Sequence, residues 1–212
     1  MKPITEPALV WTGKVMLEGR LAVPREPSAI VIIASVPSLE ADLRDAEIVE
    51  HMHRRNLAAL FVPLLTEDEI QFDSRTGHFR HDADFLAQRF IDISQWIMRN
   101  RETNGLPVAY VGSSGAAAAA IVAASMRPEL VSAIVSIDGR TDLAVDALRD
   151  LHTPILLVVR DMPVLRMNRE VLTRIRGEKR LEIVHGEETE AVRHMIEKCA
   201  SWLEERFALA VA

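Results

Sequence analysis

The chain holds a single cysteine, Cys199, so no internal disulfide can form, and no Cys/His grouping has the spacing of a zinc site. It has no dense cluster of Lys and Arg either. With 25 basic and 31 acidic residues the net charge is −6, which leaves a nucleic-acid partner without its electrostatic footprint. A run of about 18 apolar residues, the least a membrane helix needs, occurs nowhere. Lys2, Pro3 and Glu6 interrupt any apolar leader, and a soluble, cytoplasmic protein with no membrane partner is expected. Neither a Gly-x-Gly-x-x-Gly nor a Walker pattern appears, so no cofactor is expected. What remains is an ordinary globular composition, 49% apolar and 26% charged over 212 residues, enough for one α/β domain spanning 1–212.

Strand-like and helix-like stretches alternate along this length. Residues 8–12 and 15–23 flank Gly13-Lys14 and read as an antiparallel hairpin at a sheet edge. Ala29–Ser35, Leu57–Leu64, Val131–Ile137 and Pro154–Val159 are continuous apolar runs, the mark of strands buried on both faces, and Arg180–Val184 is the last strand. Between them, Ser38 is placed as the N-cap of a helix through Arg55, with Leu43, Ala46, Val49 and Met52 at helical spacing. His51 and His53 of that helix are expected in solvent. The polar stretch from Thr66 to His81 reads as a long loop over the carboxyl edge of the sheet. Asp82 opens a helix to Asn100, a short helix covers Asp142 to Asp150, Asn168 caps another, and a last helix covers Glu188 to Phe207. The pattern predicts an α/β fold: a doubly wound, mostly parallel sheet with an N-terminal antiparallel hairpin and no large cap.

The stretch Pro107–Ser125, PVAYVGSSGAAAAAIVAAS, is the most informative. A short apolar strand breaks through Gly112-Ser113-Ser114-Gly115 into an alanine-rich helix. Such a turn lies at the carboxyl edge of a parallel sheet, where open α/β folds place ligands. It matches the nucleophile elbow Gly-x-Ser-x-Gly when centred on Ser113, with Gly115 in the later glycine position and Val111 in place of the earlier one. Ser113 is then expected at the strained apex. Asp161 follows a later strand and His185 the last one, giving the order Ser, Asp, His.

Read together, these residues give the chain a resemblance to the dienelactone-hydrolase-like α/β-hydrolases of bacteria, in particular a branch often fused to phosphoribosyltransferases. The similarity is carried by VMLEGRLAVP, FLAQRFIDISQWI, SSGAAAA, VSAIVSIDGRTDLAVDAL and MPVLRMNREVLTRIRGEKRLEIV, and so covers nearly the whole chain. It implies hydrolysis of small esters or lactones, with Ser113, Asp161 and His185 as catalytic residues. Ser114, Ala34 and Ser35 then border the oxyanion hole and pocket. The departures fall on the catalytic parts. Ala34-Ser35-Val36-Pro37 replaces the His-Gly of the oxyanion loop, the loop before Asp161 is shortened, and Thr189 stands where the family carries its histidine. Threonine cannot take and return a proton near neutral pH.

Three functions stay open at this point. The first is a degenerate or very weak hydrolase that keeps a small-molecule pocket. The second is an active serine ester hydrolase using Ser113, His185 and Asp161. The third is anion or phosphate binding at the turn 112–115, where backbone N–H groups open a helix. The partner is expected to be a small molecule, and the oligomeric state is left open.

Overall fold

Eight strands form one sheet in the order β1-β2-β4-β3-β5-β6-β7-β8. The computed structural model describes residues 4–36, 41–160 and 162–208. Strands β1 (Glu6–Thr12) and β2 (Val15–Ala22) form the expected hairpin, and β2 runs antiparallel to β4 (Leu57–Pro63). From β4 onward, β3 (Ala29–Ser35), β5 (Val108–Ser113), β6 (Ala133–Ile137), β7 (Ile155–Val159) and β8 (Lys179–Ile183) are all parallel.

Strand parity sorts the side chains into two cores. Ile30, Ile32, Leu60, Val108 and Tyr110 pack with α3 (Ala83–Arg99) and α4 (Gly115–Met126). Their neighbours Val31, Ile33, Phe61, Ala109 and Val111 face α1 (Ala41–Arg54) and α6 (Glu188–Ala208). Helix α4 needs no amphipathic pattern because it is buried along nearly its whole length. Its alanines let it approach both the sheet and α3 closely. No helix among the described residues is long and apolar enough to cross a membrane.

Several local expectations are corrected. The stretch 66–81 is not a loop: it folds as α2 (Glu67–Thr76) followed by a 3₁₀ turn at Phe79–His81. Thr66 and Glu69 form a reciprocal capping box, and Gly77 ends the helix in the left-handed conformation that glycine adopts without steric cost. Asp142 to Asp150 forms two 3₁₀ turns rather than one helix. Asn168 caps nothing, because it sits inside α5 (Met162–Leu172), fully buried. Its amide donates to Gly139 O and Val164 O and its oxygen accepts from Thr141 Oγ1, so a polar core residue fixes the turn after β6. His51 is buried, with Nδ1 3.0 Å from Glu197 Oε2 of α6, and His53 is only partly exposed. Ser38 lies outside the described residues.

Two ionic clusters fix what surrounds the turn after β5. Arg89 of α3, 7% exposed, donates to Thr12 Oγ1 at 2.6 Å and Glu69 Oε1 at 2.7 Å, tying the hairpin and α2 to α3. Asp73 of α2, 2% exposed, accepts from the backbone N–H groups of Phe79 and Arg80 and from Arg80 Nε. Burial alone would raise the Asp73 pKa, but the hydrogen bonds from Arg80 and Phe79 outweigh it and hold the carboxyl below its ordinary range.

Candidate active site

The sharp turn between β5 and α4 has its apex at Ser114, with φ 49° and ψ −125°. Ser113 is the last residue of β5 and is not among the residues with positive φ. The expectation that Ser113 would occupy the strained position is therefore corrected by one residue. The physical reason is strand parity. Odd-numbered Val111 faces α1 and α6, away from the crossing helix, so its bulk is irrelevant there. Gly112 faces α4, and a β-carbon on it would lie 2.7 Å from the backbone of Ala116 and 2.8 Å from Ala117 N. The small residues two before and two after the apex are thus Gly112 and Ala116, and the motif is Gly112-Ser113-Ser114-Gly115-Ala116. A β-carbon on Gly115 would lie 2.2 Å from the carbonyl oxygen of Arg80, so the 3₁₀ turn clasped by Asp73 presses directly against the residue after the apex.

Ser114 is exposed, and its carbonyl accepts from Arg140 N at 3.0 Å and Ala117 N at 3.2 Å. Its hydroxyl caps no helix N–H, so the side chain is not consumed by the turn. Both serines border a cleft of about 220 Å³, whose other described walls are Ile137, Asp138 and Arg160 at the strand ends and Ile48, Val192, Met195 and Ile196 on α1 and α6. Among the described residues, the segment after Val159 contributes Arg160 to this lining. Asp138 also has positive φ, 43°, which an aspartate tolerates better than most residues. Its Oδ1 accepts the Arg160 N–H at 2.8 Å, linking the turn after β6 to the end of β7.

Of the other expected site residues, the described ones do not line this cleft. His185 is exposed in the turn between β8 and α6 and does not line it. Thr189 and His194 are exposed on α6. The described lining holds no imidazole at all. Ala34 and Ser35 close β3, are buried, and do not border the cleft; the Ser35 carbonyl accepts from Leu64 N at 3.0 Å. Asp161 lies outside the described residues, between Arg160 and the start of α5. No group of three or more acidic, His or Cys side chains among the described residues is placed to hold a metal ion.

An eight-stranded sheet in this order, with a positive-φ serine in the turn between β5 and α4, defines an α/β-hydrolase fold. The chain belongs to the dienelactone hydrolase family. It is similar to the dienelactone hydrolase of Anabaena variabilis, with 35% identity, a TM-score of 0.90, and coverage of 97% of this chain and 99% of that one. The esterase domain of a Rhodothermus marinus protein shares the fold at 15% identity and a TM-score of 0.74, covering 95% of this chain and 99% of that domain. Two curated proteins from strains of Mycobacterium tuberculosis, provisionally named phosphoribosyl transferases, are 37% identical over 184 residues, 85% of this chain. The chain spans 41% of the length of these curated relatives. No family model matches the chain.

Proposed function

We propose that the protein is a degenerate or very weak hydrolase of the dienelactone-hydrolase type, in which the elbow cleft binds a small molecule that it turns over slowly or not at all. The observation that carries this reading is the pairing of an elbow serine in the strained conformation with a cleft whose described lining offers no histidine. A serine hydroxyl is a poor nucleophile until a base within about 3 Å removes its proton, and the base itself needs a carboxylate to orient it. In this reading Ser114 takes the nucleophile position and the Gly115 N–H is the remaining oxyanion donor. The described lining holds no imidazole for a carboxylate to orient, and the His-Gly loop that would supply the second donor is replaced by residues 34–37. A cleft of about 220 Å³ with apolar walls on α1 and α6 suits a compact organic ligand, and the net charge of −6 disfavours nucleic acid. The buried free thiol of Cys199 suits a reducing cytoplasm.

The test is reaction with a fluorophosphonate probe alongside hydrolysis of activated short-chain esters. The wild-type protein is expected to differ little from Ser114→Ala in both. Rapid labelling and turnover that depend on Ser114 and disappear in His185→Ala would replace this reading with a working Ser-His-Asp hydrolase, the imidazole swinging in from the β8–α6 turn.

A further inference from the structure

Strand β1 is the free edge of the sheet: it pairs with β2 on one side and with nothing among the described residues on the other. An unpaired edge presents backbone N–H and C=O groups in a row, which soluble proteins usually blunt with charged side chains. Here the stretch from Pro7 to Gly13, PALVWTG, carries no charge. Its outward side chains are apolar, Leu9 at 56% and Trp11 at 59% exposure. Met16 at 46%, directly opposite Trp11 on β2, widens the patch. The charges sit at the ends of this strip, Glu6 at the start of β1 and Lys14 in the hairpin turn, both exposed.

We propose that β1 pairs antiparallel with β1 of a second copy, about a two-fold axis at Val10, to give a continuous sheet through a homodimer. In that register Leu9 of each copy faces Trp11 of the other and Ala8 faces Thr12, while Pro7 and Glu6 come to lie beside the partner's hairpin turn at Gly13 and Lys14. The strip is self-complementary in this arrangement. Both ends carry an opposite-charge pair, the apolar side chains meet in the middle, and the ring of Pro7, which has no N–H to offer, meets the one residue without a side chain. A parallel pairing in register would set Glu6 against Glu6 and Lys14 against Lys14. Two-fold isologous contacts are the commonest way soluble chains assemble, and they need only such self-complementarity. One short strand pair buries less than a standard interface, so the dimer is expected to dissociate at roughly micromolar concentration.

Charge reversal tests the register itself. The wild-type protein is expected to move from monomer to dimer over a micromolar concentration series in analytical ultracentrifugation. Glu6→Lys alone and Lys14→Glu alone each place like charges at both ends and should weaken the dimer on the order of tenfold. The double variant restores both pairs and should recover wild-type association. Trp11→Ser should abolish association. All three positions are exposed, so circular dichroism and the unfolding midpoint check that each of the four variants is folded. A protein that stays monomeric throughout the series overturns the proposal, including one whose strip serves an unrelated partner. So does a dimer indifferent to the two charge reversals or to Trp11→Ser, since it would use another face.

Discussion

Replacing Ser114 by glycine is expected to stabilise the protein. The left-handed backbone costs a serine about 1–3 kcal/mol, whereas glycine gives back about 0.5–1 kcal/mol in lost chain entropy, leaving a net gain near 1 kcal/mol. Urea denaturation of Ser114→Gly and Ser113→Gly checks this, because Ser113 has no such strain and its glycine variant should gain nothing. The same pair of residues shows what could be read in advance. GSSG offers two registers for one elbow motif, and centring it on the first serine makes Val111 an exception to the pattern. The deciding fact is which side of β5 meets α4, and it follows from parity. Val108 and Tyr110 face α4, so Gly112 must face it too, and the apex falls on Ser114. That signal was present in the alternation of the strand but becomes usable only when the crossing helix is known.

At the scale of elements, α2 was hidden by its own polarity. Glu67, Asp68, Glu69, Asp73 and Arg75 give it no apolar stripe, so its hydrophobic periodicity is weak, although Thr66-x-x-Glu69 is a capping box written plainly in the sequence. What holds the segment is the Asp73 clasp on Phe79 and Arg80. Asp73→Ala is expected to cost roughly 1–3 kcal/mol at neutral pH, because it leaves the part-buried N–H groups of Phe79 and Arg80 and the Arg80 guanidinium without their carboxylate acceptor. The sign of the pH dependence follows from the depressed pKa. The clasp contributes fully above the unfolded-chain value of about 3.9 and is lost as pH falls through the lower folded value. Urea midpoints measured from neutral pH down into this acid range should therefore fall more steeply for wild type than for the variant. Asn168 shows the opposite difficulty. A polar residue ahead of Val171, Leu172 and Ile175 looks like the N-cap of a helix running to about Arg176, and only the Gly139–Thr141 turn arriving from elsewhere in the chain explains why it is buried.

For the whole molecule, strand alternation carried the architecture. The runs at Ala29–Ser35 and Pro154–Val159 read as strands buried on both faces and form β3 and β7, and the Gly13-Lys14 hairpin sets the antiparallel edge. The site was less legible, since whether His185 reaches the elbow depends on the path of the turn after β8 rather than on any local pattern. Cys199 offers a readout of the global state, lying 1% exposed in the core that α1 and α6 form on the sheet. Burial pushes its thiol well above the ordinary range, so the thiolate is scarce in the folded protein. A disulfide exchange reagent is expected to leave native Cys199 unreacted and to modify it at the rate of global unfolding, which stopped-flow or quenched labelling in low urea would measure.

The close approach of β5 and α4 also bears on how such a chain can change over time. Gly112 is held by the backbone of Ala116, Gly115 by the carbonyl of Arg80, and Gly139 by Ser136 and Ala117. None of these restrictions involves a substrate. Random mutation of a lineage that had stopped hydrolysing anything would still be filtered at these glycines by packing alone, while a base such as a histidine at position 189 could drift freely. The elbow signature therefore outlives the reaction it is used to diagnose, and a search for lapsed hydrolases should weigh the base and the oxyanion loop above the Gly-x-Ser-x-small pattern.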